Sequence, residues 1–327
     1  SNAPRIKQGT LLLNKAAGLN AIAGAGTWTI GDDIASSATV KLGADNQIPD
    51  GAALQIASNG TLDLNGNDEI FITLTMEIGP LGGSVFNLGA GGAAVNAGNL
   101  TVQTLGGGNP TGASITGGSL GLTTFNASGA ASQRTWLVGD GANDPDLNVT
   151  SAVVDGTGYQ SWGLSKSGFG TLRLSGSGAN SFTGTTNINE GTLELNKSAG
   201  VNALTGPLTV GDGSLQSGAL GSDAVRWLQS DQLPDYNALV TVQGTGLLNL
   251  NGQNDAIGVA DGAVALQVNS GLVQTGAGTL TVNGNIATTA TFVLGTLPGS
   301  HNAIAAPVIS GNLNIGDSFL RLIDMTD

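Results

Sequence analysis

Residues 191–203 read Gly191-Thr-Leu-Glu-Leu-Asn-Lys-Ser-Ala-Gly-Val-Asn-Ala203, and residues 9–21 read Gly9-Thr-Leu-Leu-Leu-Asn-Lys-Ala-Ala-Gly-Leu-Asn-Ala21. The two stretches are almost the same, and the likeness continues outward. Thr29-Ile-Gly-Asp32 returns as Thr209-Val-Gly-Asp212. Val40-Lys-Leu42 with Gln47-Ile-Pro-Asp50 returns as Val225-Arg-Trp227 with Gln232-Leu-Pro-Asp235. Leu62-Asp-Leu-Asn-Gly66 returns as Leu248-Asn-Leu-Asn-Gly252, and Ile115-Thr-Gly-Gly-Ser-Leu120 as Ile309-Ser-Gly-Asn-Leu313. Residues 4–327 are therefore nearly two copies of one unit of about 185 residues, divided at about 9–190 and 191–327. Ser1 to Ala3 reads as the scar of a cleaved tag, and the start and finish within repeats suggest a piece of a longer protein.

A shorter rhythm lies inside the long one. Gly-Thr-Leu-x-Leu or a near variant begins at Gly9, Gly26, Gly60, Gly170, Gly191 and Gly278. The apolar positions stand two apart, with Asp63, Arg173, Glu194 or Thr281 between them. That is strand alternation, one face buried and one wet. The preceding glycine marks a corner. No stretch has a helical period, so the chain is expected to be all-β. Near-identical short strands recurring over hundreds of residues fit a single parallel β-helix, a β-solenoid, because like positions then stack on like. Crossover chirality favours a right-handed coil. The spacing from Gly170 to Gly191 suggests coils of about 21 residues and roughly 15 of them, stacked at about 4.8 Å per coil.

Composition narrows the function classes. Of 327 residues, 54 are Gly, none is Cys, and only 10% are charged. Disulfides and thiolate metal sites are excluded. The formal charge is −13 and the basic residues are scattered, so no basic stripe exists for nucleic acid or anionic membranes. No apolar run approaches the ~18 residues of a spanning helix, so no membrane insertion is expected.

Residues 164–195 then carry a resemblance. Lys166, Gly168, Gly170, Thr171, Leu172 and Leu174 are followed by Asn180, Phe182, Thr183, Gly184 and Thr186, then by Gly191, Thr192, Leu193 and Leu195. This closely resembles the autotransporter-associated β-strand repeat, or passenger-associated transport repeat. Ile6 to Leu13 looks like the tail of another copy. The resemblance implies a β-helical, adhesin-like part of a secreted or surface-displayed bacterial protein, extracellular or outer-membrane-associated. It carries no catalytic residues to transfer. The expected function is a non-enzymatic structural rod presenting loops for adhesion or cell contact, with a surface glycan or protein as partner. The alternative is a β-helix that binds or cleaves polysaccharide.

Catalytic signals are sparse. His301 is the only histidine and lies in a loop-like stretch, Leu297 to Asn302. Gly117-Gly-Ser-Leu-Gly121 has the nucleophile-elbow spacing without a helix to follow, and Gly89-Ala-Gly-Gly-Ala-Ala94 is a loose dinucleotide pattern with the same lack. An acid gathered with Arg134, Lys166 or Arg173 in a groove would favour the enzyme. No cofactor is expected. The one metal candidate is calcium on Asp140, Asn143, Asp144 and Asp146, hard oxygen ligands in a short loop. A solvated corner explains the same residues, as turn chemistry explains Asp45, Asp50, Asp231 and Asp235. Trp28 and Trp227 fall on inward positions and are expected in the core; Trp136 and Trp162 are undetermined. Strand-like ends without caps, Arg5 to Leu13 and Phe319 to Asp327, suggest end-to-end self-association.

Overall fold

A computed structural model describes residues 4–24, 26–34, 36–96, 98–106, 111–123, 133–156, 161–212, 218–236, 238–259, 262–289, 307–316 and 323–326. Among them there is no helix. His301 and residues 319–322 lie outside the described residues. The chain divides into two compact units, Ser1–Gly184 and Thr185–Asp327, close to the boundary between the sequence copies.

In the first unit one sheet stacks Arg5–Ile6, Thr27–Ile30, Ala53–Ile56, Thr73–Gly79, Leu100–Thr104, Gln133–Val138 and Gly163–Ser167 in parallel. The second stacks Gly9–Leu13, Ala38–Leu42, Gly60–Asp63, Val85–Asn96, Ala113–Leu122, Leu147–Val149 and Thr171–Gly176. The chain alternates between the two sheets, so each turn adds one strand to each. In the second unit Thr186–Ile188, Leu208–Val210, Val240–Val242, Val264–Val268, Asn285–Thr289 and Ile323–Thr326 form one sheet. Thr192–Lys197, Asp223–Trp227, Gly246–Asn249, Leu272–Asn283 and Val308–Asn314 form the other. Both units are parallel β-solenoids; among the described residues the first stacks seven strands in each sheet and the second six and five, against the roughly 15 coils expected. Coil length varies: Leu54 pairs with Leu74, 20 residues on, but Leu100 with Trp136 and Leu208 with Val240, 36 and 32 residues on. Only the strands must stack, so coil length can vary without disturbing the ladder.

Alternation places the core. On one face Trp28, Leu54, Leu74, Leu100 and Trp136 stand in register, all buried. Ile30, Ile56, Met76, Val102 and Val138 form the ladder beside them. All four tryptophans are buried, which also decides Trp136 and Trp162. Each buried Leu, Ile or Val side chain stabilises by about 1.5–3 kcal/mol relative to exposure, so these ladders carry much of the fold. The intervening residues form outward ladders, such as Thr10, Thr39 and Thr61.

The longer strands of the second sheet bend. Val85–Asn96 pairs through its first half with Gly60–Asp63 and through its second with Glu69–Phe71. A register shift separates the halves of the Val85–Asn96 and Ala113–Leu122 pairing, at Gly89 opposite Gly117. Both glycines have positive φ, 76° and 74°. A Cβ on Gly117 would lie 2.8 Å from the Gly89 carbonyl oxygen. The two glycine motifs of the sequence are thus successive layers of one corner, where the chain turns left-handed and the coils touch backbone to backbone.

Candidate functional site

The proposed calcium loop does not converge. Asp140, Asn143 and Asp144 are exposed, and Asp144 precedes a cis proline. Asp146 is buried and faces backbone. Its Oδ1 accepts from the Gly141 amide at 2.6 Å and its Oδ2 from the Thr171 amide at 2.7 Å. Burial pushes its carboxyl up, with the charges of Asp144 and Asp140 adding to the shift and the two amide bonds opposing it. Among the described residues no group of three or more His, Asp or Glu is placed to hold a metal ion.

The three basic residues named for a catalytic groove go to three different places. Lys166 follows Trp136 in the inward ladder, is fully buried, and donates from Nζ to the Gly168 carbonyl. Arg134 is half-buried and stacks on the Trp162 ring, 4.6 Å from its centroid. Arg173 points outward on the register Ser114–Asn148–Arg173. There it lines a depression of about 360 Å³ with Thr111, Ser114 and Asn148, among whose lining residues there is no carboxylate. A second depression of about 440 Å³ has Asn20, Asn46 and Asp50 on its walls and no basic side chain.

The residues resembling the transport repeat serve packing. Leu164, Leu172, Leu174, Phe182, Leu193 and Leu195 are core. Asn180 is buried and its Oδ1 accepts from the Val153 amide at 2.8 Å. Thr183 Oγ1 donates to Asp155 Oδ2 at 2.7 Å. The Gly184 amide donates to the Trp162 carbonyl at 3.0 Å.

The most elaborate polar arrangement is one that sequence reading passed over. Gln47, fully buried, accepts on Oε1 from the Lys15 amide at 2.7 Å, one coil earlier. Its own amide and that of Ile48 donate to Glu69 Oε2, both at 2.9 Å, one coil later. In the second unit Gln232 Oε1 accepts from the Lys197 amide at 2.8 Å. The Gln232 and Leu233 amides donate to Asp255 Oδ2 at 2.9 and 3.2 Å. One glutamine and one carboxylate thus tie three successive coils, twice over. Asp255 also accepts from the Trp227 indole at 2.6 Å. The indole nitrogens of Trp28, Trp136 and Trp162 have no partner among the described residues. Burial is the largest influence on both acids, pushing Glu69 to about 7 and Asp255 to about 6. The available signal was an acid three residues after each Leu-Asn-Gly, at Glu69 and Asp255.

Fold and motif together define a parallel β-solenoid repeat protein. Residues 164–195 match the family described as passenger-associated-transport-repeat, so the chain carries a repeat of that kind. No curated protein and no solved structure matches the chain.

Proposed function

We propose that this chain is a non-enzymatic structural segment of a secreted or surface-displayed bacterial protein, presenting its corner loops for adhesion or cell contact. The match over residues 164–195 carries the reading. Consistent with it, Leu164, Leu172, Leu174, Phe182, Leu193 and Leu195 of that stretch are core, Asn180 bonds backbone, and Lys166 is inside rather than in a groove. The corners offer contact points to a surface protein or glycan: Phe169 is 73% exposed and Tyr236 66%. A charge of −13 disfavours nucleic acid as partner.

The test is made in the bacterium that encodes the chain. Antibody raised against the chain should label intact cells or the medium, and external protease should remove the cell-bound signal. Deleting the coding region should reduce attachment without removing any hydrolase activity. Label appearing only after lysis would overturn the reading. The outward row Ser114, Asn148 and Arg173 along a depression favours a second reading, polysaccharide binding. A glycan array would show it as binding that Arg173→Ala abolishes.

A further inference from the structure

We propose that the outward face of the first-unit sheet containing Thr27–Ile30 binds a neutral polysaccharide lying across its strands. Hydroxyl and amide side chains meet the sugar hydroxyls, and Phe169 receives the apolar face of a ring. Such binding rests on the reading of a displayed, adhesive segment and names its ligand class. The face is built by register. Thr29, Gln55, Thr75, Thr101, Leu137 and Ser167 stand in one outward column. Two residues earlier on the same strands Thr27, Ala53 and Thr73 stand in a second, which Thr135 and Ser165 continue. Between these, Asn99 Oδ1 accepts from the Thr135 amide at 3.2 Å. Every polar side chain in the two columns is a hydroxyl or a carboxamide. Parallel strands repeat at about 4.8 Å, so such groups recur at that step along the stack.

One end of the face is apolar and aromatic. Leu137 is 43% exposed, and Phe169, two residues after Ser167, is 73% exposed. Gly168 between them has a φ of 77°, and a Cβ there would meet Leu137 Cδ1 at 3.1 Å. The turn that carries Phe169 is therefore packed on Leu137. Charge is kept to the margins. Arg5 stands opposite Thr29 on the outermost strand, and Asp32, Asp33 and Asp140 lie on corners. Glu77, opposite Gln103, is buried and accepts from Gln55 Nε2 at 2.7 Å. The other sheet of the same unit differs, since its outward registers include Lys41, Asp63 and Arg173.

This charge pattern selects the ligand. An acidic glycan, a nucleic acid or an anionic lipid finds no countercharge on the two columns and meets a chain of charge −13. A second copy brings the same −13, and the apolar area it could cover is confined to Leu137 and Phe169. An uncharged polymer of hydroxyl-bearing rings suits the face. Its hydroxyls both donate and accept, as Thr, Ser, Asn and Gln side chains do. An aromatic ring takes the apolar side of a sugar while the sugar's hydroxyls stay wet. Weak contacts repeated along one rigid sheet add up on a repeating chain, because each bound unit raises the effective concentration of the next.

The experiment is affinity electrophoresis of the intact chain in native gels containing hydroxyethyl cellulose, yeast mannan, dextran or polygalacturonate. At least one neutral polymer should retard the chain, and polygalacturonate should not. Phe169→Ala, and Thr75→Val together with Thr101→Val, should each raise the apparent dissociation constant on the order of tenfold. Arg173→Ala, on the other sheet, should leave it unchanged. Retardation by none of the neutral polymers, or by polygalacturonate alone, overturns the proposal. So does retardation that Arg173→Ala abolishes and the face variants spare, which places the sugar in the depression. Light scattering that shows a dimer dissolved by Phe169→Ala gives the face to a second copy and overturns it too. Should the valine pair fail to fold, NMR on the wild type decides: an oligosaccharide of the retarding polymer should shift the Thr75 and Thr101 amides, and shifts at Ser114 and Asn148 instead count against the face. Failure to label intact cells would sink the reading of display and leave the gel result standing.

Discussion

Trp227 and Leu42 hold the same place in the two copies, and each goes with a different acid, Asp255 or Glu69. The larger side chain accompanies the shorter acid, and the indole N–H reaches a carboxylate that already accepts two corner amides. Trp227→Phe should therefore destabilise the second unit by about 1.5–3 kcal/mol at pH 7.5, the range for a hydrogen bond to a charged group. It should also move the Asp255 titration further up, since the indole bond holds it down. Carboxyl-carbon NMR with urea unfolding would read both. Asp146 makes the same point about a residue chosen for a ligand. Its two oxygens are taken by Gly141 and Thr171, so Asp146→Ala should cost about 1–3 kcal/mol for each amide left without an acceptor. Calcium or a chelator should leave the melting temperature of the wild type unchanged.

At the scale of the strand and its corner, the period-two pattern is a local signal, which is why Thr27–Ile30, Gly60–Asp63 and Thr192–Lys197 were legible from Gly-Thr-Leu-x-Leu. The corners were less so. Gly89 and Gly117 mimic binding motifs because close approach of backbones and a left-handed turn need glycine wherever they occur. Gly117→Ala should be destabilising, with its Cβ pressed on the Gly89 carbonyl, and circular dichroism during heating would show an earlier loss of strand signal. The corner glutamines were visible as a repeated Gln-x-Pro-Asp, but their work was not. Gln47 bonds residues 32 positions before and 22 after it, so no local pattern reports the connection. Gln47→Leu should leave the Lys15 amide without its acceptor and raise hydrogen exchange there first, before the coils that follow.

For the whole chain, what composition said about class held where it concerned architecture. Many Gly, few charges and no Cys describe chains whose coils touch closely and rely on apolar ladders rather than cross-links. The basic residues show the limit of such reading. Lys166 sits two residues from Leu164 in an inward row, yet its charge had marked it for a groove. The surface ion pair Lys41–Asp63 is partly exposed and contributes little, so raising salt should barely change stability through it. The central claim is that successive coils stack in parallel and in register, and cross-strand proton contacts by NMR on deuterated protein test it most directly. Parallel pairing predicts amide contacts from Thr39 and Val40 to Thr61 and Leu62 in the first unit, and from Thr192 and Leu193 to Ala224 and Val225 in the second. Short Hα–Hα contacts of an antiparallel ladder, or contacts offset from these partners, would contradict it.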